Sequence, residues 1–115
     1  MKSTEHWKAD YQAEVERGLI ARSKGNEGMA RVCARRAAGI IIGEYLQRNG
    51  YSNLSDSAYN RLSLFIALQG IDHRYKEIAV HCLLKVGQNH QLPMNVDLLS
   101  EVIWLKNNLL IDTNE

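Results

Sequence analysis

Two glycines inside a long apolar stretch constrain this chain more than any other feature. Residues 27–48 contain no proline, and their centre reads Cys33-Ala34-Arg35-Arg36-Ala37-Ala38-Gly39-Ile40-Ile41-Ile42-Gly43-Glu44-Tyr45-Leu46. Read as one helix, Gly39 and Gly43 stand on the same side, with Ala38 beside them. Each glycine costs about 1 kcal/mol against alanine in a helix interior, so two of them call for an offsetting gain. Close approach of a second helix supplies one, because small residues let two backbones come near. The three isoleucines and Leu46 cover much of the remaining circumference. The segment is therefore expected at the buried centre of a bundle.

The rest of the composition agrees with a helical chain. At 115 residues it is long enough for one domain with a single core and no staples. One proline, few aromatics and abundant Ala, Leu, Ile, Glu, Lys and Arg favour helix throughout. The net charge of +1 supplies no global field for nucleic acid or an anionic membrane. Residues 37–42 form the longest apolar run, far short of the roughly 20 residues that a membrane span needs. Met1-Lys2-Ser3-Thr4-Glu5-His6 leads straight into an amphipathic pattern without a signal-peptide core, so a cytoplasmic protein is expected. Cys33 and Cys82 fall within helical apolar patterns and read as reduced core cysteines.

Five helices follow from periodicity and stop signals, at about residues 4–23, 27–48, 55–69, 73–86 and 95–110. In the first, Trp7, Tyr11, Val15, Gly18, Leu19 and Arg22 make a stripe of helical period. Lys24-Gly25-Asn26 ends it: Gly25 suits a left-handed position, and Asn26 caps the next helix with Glu27 at its positive end. So short a link forces an antiparallel hairpin. Asn49-Gly50 stops the second helix. Ser55 then reads as a cap, with Leu54 and Tyr59 as a hydrophobic staple, and Tyr59, Leu62, Phe65 and Ile66 form the apolar face of the third helix up to Gly70. Asp72 caps the fourth helix, whose apolar positions are Tyr75, Ile78, Ala79, Cys82, Leu83 and Val86, with Gly87 as its stop. A loop over residues 88–93, closed by Pro93, precedes a fifth helix beginning near Asn95, and the tail from Asp112 frays. The expected fold is all-α, a five-helix up-and-down bundle built on a long antiparallel αα-hairpin.

Three constellations could carry chemistry. Arg74 and His81 are seven residues apart, two helical turns, and project from one side of the fourth helix. An arginine with a histidine can clamp a phosphate and move a proton, the minimum for cleaving RNA through its 2′-hydroxyl. With eight arginines and four histidines, roughly one Arg-x(4–6)-His match arises by chance, and the alternative pairs Arg74 with Glu77 and leaves His81 solvated or partly packed. His73, Glu77 and His81 form a ladder, but three collinear positions on one straight helix cannot reach one ion. Neither metal nor cofactor is expected. Arg31 and Arg35, with Arg36 beside them and Arg22 and Lys24 across the hairpin turn, make a basic patch that could meet RNA phosphates. The patch lacks interleaved aromatics, and Glu27 is placed to pair with Arg31.

The stretch from Ala30 through Cys33-Ala34-Arg35-Arg36-Ala37-Ala38-Gly39 to Leu46, closed by Gly50, resembles the second helix of the HEPN family (higher eukaryotes and prokaryotes nucleotide-binding). Leu92-Pro93 followed by an amphipathic helix is similar too. The resemblance implies an up-and-down helical bundle, often a homodimer. Many members are metal-independent ribonucleases with an Arg-x(4–6)-His motif in a cleft at the dimer interface. Others are partners of small nucleotidyltransferases in toxin–antitoxin pairs. By that resemblance the catalytic pair is Arg74 and His81, with Tyr75 where active members usually carry a small polar residue. Arg31 and Arg35 are the candidate nucleic-acid contacts. A non-enzymatic protein-interaction module is the competing expectation.

Overall fold

A computed structural model describes residues 6–84 and 96–110. Among them are five helices: α1 (His6–Ser23), α2 (Glu27–Arg48), α3 (Ala58–Ala67), α4 (His73–Cys82) and α5 (Leu98–Leu109). No strand occurs among the described residues. The expected stop at Gly87, the loop over 88–93 and the tail from Asp112 lie outside them.

The hairpin forms for the local reasons its sequence offers. Gly25 takes a left-handed backbone at φ +78°, and the Asn26 side chain accepts the Met29 N–H at 3.0 Å. Arg22 then bridges the two helix tips to α5, with its guanidinium 2.7 Å from Glu27 and 3.1 Å from Asp97. At the far end Gly50, at φ +91°, closes α2.

α2 is the axis of the molecule: α1, α3, α4 and α5 all pack on it. Ala34, Ala37, Ala38, Ile41, Ile42 and Leu46 have no exposed surface. Phe65 and Leu62 of α3, and Val102 and Leu105 of α5, are equally enclosed. In α1 the buried residues are Tyr11, Val15, Gly18 and Ala21. Leu19, expected in this stripe, is 49% exposed, so the buried face drifts toward Ala21 near the turn.

The two glycines of α2 are buried, for different reasons. A Cβ on Gly39 would lie 2.7 Å from Ala58 Cβ and 2.9 Å from Ala58 Cα, so the first turn of α3 rests on the α2 backbone. At Gly43 a Cβ would instead meet the Arg61 guanidinium, with its central carbon at 2.8 Å. Helix-on-helix approach therefore accounts for Gly39, whereas Gly43 makes room for the half-buried Arg61 guanidinium. Gly18 supplies a third close contact, against Leu99 and Cys33.

Three boundaries differ from expectation. α3 begins at Ala58 rather than Ser55: Ser57 is the cap and accepts the Asn60 N–H, while Ser55 Oγ accepts the Ser57 N–H and the Asn60 side-chain N–H. Tyr59 is 62% exposed, so the expected staple with Leu54 does not form. α4 is capped by Asp72 as expected but ends at Cys82, short of residue 86, where Leu83 and Leu84 bond back three residues and Arg35 takes the Cys82 carbonyl. α5 starts at Leu98 instead of near Asn95, because Asp97 caps it through Ser100. Cys33 and Cys82 are buried free thiols.

Candidate functional site

Arg74 and His81 stand on α4 where it meets α5, beside a groove of about 380 Å³. Arg74, Glu77 and Ile78 line one wall, and Ser100, Glu101 and Trp104 the other. Tyr75 anchors the two helices: its ring lies 5.8 Å from that of Trp104, and its hydroxyl donates to the Asn108 carbonyl at 3.4 Å.

Arg74 does not adopt the expected pairing with Glu77. Its guanidinium lies 5.3 Å from the centre of the Trp104 ring, a cation–π distance, and its Nε is 3.8 Å from Asp72. The side chain remains 69% exposed. The Asp72 carboxylate is fixed by the backbone, since Oδ1 also accepts the Arg74 N–H at 2.8 Å. Arg74 is thus an exposed cation flattened on an aromatic face at the mouth of the groove.

His81 is neither solvated nor partly packed: it is 6% exposed. Its Nδ1 lies 2.9 and 3.1 Å from the two Glu101 oxygens, and its Nε2 faces Glu77 at 3.9 Å. Glu77 also lies 3.8 Å from His73. The Glu101 carboxylate holds the imidazole between helices, so one ring nitrogen is occupied and the other looks at a second carboxylate. Among the described residues no group of three or more His, Cys, Asp or Glu converges as a metal site. Two carboxylates, Glu77 and Glu101, share the groove walls with one guanidinium, that of Arg74.

The basic patch is dispersed. Arg22 is bound to Glu27 and Asp97, and Arg35 Nε donates to the Cys82 carbonyl at 2.8 Å. Arg31 is half-buried and engaged as well. Arg35 also lines a different cavity of about 540 Å³ between α1, α2 and α3, with Arg36 and Arg61.

Sequence reasoning missed Glu101, Trp104 and Arg61. Trp104 carried a signal, being one of two tryptophans and one turn from Glu101 on α5. Glu101 carried none beyond its place in a first helical turn, because its partner lies 20 positions away. No helix among the described residues is long and apolar enough to cross a membrane. Comparison with protein-family models, curated proteins and solved structures finds no match to this chain.

Proposed function

We propose that this chain is a HEPN-like helical module that acts through a protein partner and does not itself cleave RNA. The order of elements supports the likeness: a long antiparallel hairpin, two short helices and a closing helix, with Arg74 at the start of the fourth. The burial of His81 carries the functional reading. An acid or base acting on a 2′-hydroxyl needs a ring nitrogen that the substrate can reach. Here the ring is 6% exposed and held by Glu101, and a phosphodiester entering the groove would meet Glu77 and Glu101. An exposed arginine stacked on tryptophan is, by contrast, the kind of pair that anchors protein interfaces. Val80 and Ile103 on the same two helices add exposed apolar surface, 42% and 36% open. The partner is a second copy of the chain or a small nucleotidyltransferase, in the cytoplasm.

A ribonuclease is the second reading, and one observation favours it: a carboxylate on Nδ1 is the arrangement that orients a catalytic imidazole. Mixed RNA incubated with the wild type and with an Arg74→Ala, His81→Ala double variant separates the two. The partner reading expects equal RNA decay with both proteins, or none. Cleavage by the wild type that the double variant loses would reverse the assignment. Sedimentation of the wild type against Arg74→Glu, alone and with a candidate nucleotidyltransferase, tests the interface directly. Identical behaviour of the two proteins in every mixture would remove the partner reading.

A further inference from the structure

Asn49 is the one asparagine in the sequence that is followed by a glycine, and it stands at the C-terminal end of the central helix. An asparagine side chain carries an amide carbon within reach of the next backbone nitrogen, and cyclisation of the two yields a five-membered imide. A side chain on the following residue crowds that nitrogen and restricts its rotation, whereas glycine does neither. Every other asparagine here precedes a residue with a side chain. Asn49 and Gly50 are both exposed, and a Cβ at Gly50 would meet nothing within 4 Å, so water has open access to the peptide group between them.

The same two residues close α2. Gly50 takes a left-handed backbone at φ +91°, its N–H donates to the Gln47 carbonyl at 3.1 Å, and the Tyr51 N–H donates to the Leu46 carbonyl at 3.0 Å. That pair of bonds is how a left-handed glycine seals a helix end. The Asn49 side-chain amide donates to the Tyr45 carbonyl at 2.8 Å. Both reacting groups are tied down while the cap is formed: the attacking nitrogen by Gln47, and the amide under attack by Tyr45. Reaction requires the last turn to fray, and helix ends open far more readily than a core.

We infer that Asn49–Gly50 is a site of spontaneous deamidation, held in check by the α2 cap and weakening that cap once it occurs. Loss of the Gly50 amide proton to hydroxide leaves a nitrogen that attacks Asn49 Cγ. The N–Cγ bond forms, the Cγ–Nδ2 bond breaks, and the amide leaves as ammonia. Water then opens the imide at either carbonyl, giving aspartate or isoaspartate at position 49. A carboxylate cannot donate to the Tyr45 carbonyl. It also stands beside the Tyr45, Leu46 and Gln47 carbonyls, at the negative end of the helix dipole. Isoaspartate lengthens the main chain by a methylene, which moves Gly50 and Tyr51 off the Gln47 and Leu46 carbonyls. The change is one-way, and it strikes the helix on which α1, α3, α4 and α5 pack. The inference is independent of whether the α4–α5 groove recognises a partner.

The full-length protein is incubated in mildly alkaline buffer, folded and in urea, and peptide mass spectrometry follows the gain of about 1 Da at each asparagine. Asn49 should convert before any other asparagine in both states. It should convert about tenfold more slowly in the folded protein, as expected when a hydrogen-bonded cap must open first. Gly50→Ala, compared with the wild type in urea where the cap plays no part, should slow the conversion severalfold. Asn49→Asp should melt about 2–5 °C below Asn49→Ala, which loses the same hydrogen bond without adding charge. An Asn49 that stays intact in the folded protein, or another asparagine that converts first, overturns the inference. So do equal rates in the folded and the unfolded chain, or a Gly50→Ala chain that converts as fast as the wild type in urea. Asn49→Asp melting no lower than Asn49→Ala overturns the consequence drawn for the cap.

Discussion

Alanine at Gly39 and alanine at Gly43 are the same change four residues apart on one helix, and they should have unequal consequences. At Gly39 the new Cβ would sit 2.7 Å from Ala58 Cβ and 2.9 Å from Ala58 Cα. Carbon atoms rest at about 3.5–4.0 Å, so α3 would have to retreat by about 1 Å. Overpacking of this kind costs about 1–3 kcal/mol. The Arg61 bond to the Gly39 carbonyl, 3.2 Å long, would stretch with it, at about 1 kcal/mol. Better helix propensity returns about 1 kcal/mol. The net loss is about 1–3 kcal/mol, or about 4–10 °C in melting temperature for a domain of this size. At Gly43 the obstacle is the end of a flexible side chain, so the Arg61 guanidinium swings aside. Two carbonyl bonds weaken, one residue gains propensity, and the net change stays within about 1 kcal/mol. Urea denaturation followed by helical circular dichroism reads both, provided the slope m stays constant. An Arg61→Ala background sharpens the contrast: Gly43→Ala should then stabilise by about 1 kcal/mol, while Gly39→Ala stays destabilising. A Gly39→Ala protein as stable as the wild type would refute the close-approach argument. So would equal responses of the two sites in the Arg61→Ala background.

Other perturbations test the same framework. Asp97→Ala removes the cap of α5 and one partner of Arg22, and should lower stability by about 0.5–2 kcal/mol; an unchanged urea midpoint would contradict the capping role. Burial raises the Asp97 carboxyl, but Arg22 and Ser100 outweigh it and hold it below the ordinary 3.8. A carboxyl depressed by folding contributes its full stability above 3.8 and loses it as pH falls through the lower folded value, so the wild type's advantage over Asp97→Ala should vanish only in that acid range. Burial pushes the Cys82 thiol up to about 12, and burial followed by the nearby Glu14 raises that of Cys33. Both should resist an aromatic disulfide reagent in mildly alkaline buffer and react once urea unfolds the chain; prompt reaction of the folded protein would sink this reading. Glu101→Ala strands the His81 Nδ1 in a buried position and should cost about 1–3 kcal/mol, whereas a loss under about 0.5 kcal/mol would mean that the pair is incidental.

The elements whose signals are local were legible in the sequence. Gly25 and Gly50 take positive φ at helix stops, and Asn26 and Asp72 cap α2 and α4, whereas α3 ends at Ala67, short of the expected stop at Gly70. The start of α3 was not legible, because Ser55 and Ser57 are equally good caps by chemistry. What separates them is tertiary: the Ser55 carbonyl is occupied by Arg61 and its hydroxyl by Ser57 and Asn60, leaving Ser57 to cap the helix. The candidate pair on α4 was legible as a spacing and not as an environment. Helical geometry puts Arg74 and His81 on one side, but their surroundings come from Trp104 and Glu101 on another helix.

Arginine is where a reading by charge count goes furthest astray in this chain. A run containing Arg31, Arg35 and Arg36, with Arg22 nearby, looks from the sequence like a surface offered to an anionic polymer. Folding spends much of that charge on holding helices together. Arg22 joins α1 to α2 and α5 through two carboxylates, and Arg35 closes the last turn of α4. Arg61, unremarkable in the sequence, pins the α2–α3 connection to α2 from the inside. Arg22 is neutralised where it sits, because its partners are acids. Arg35 spends its Nε on a carbonyl, and Arg61 adds an ion pair with Asp56 at 4.0 Å to its two carbonyl bonds. The cavity between α1, α2 and α3 sets Arg35, Arg36 and Arg61 among Glu14 and Asp56 instead of leaving these cations along an open helix face. A long polyanion laid across α2 would find Arg22 and Arg35 already engaged with groups of this chain.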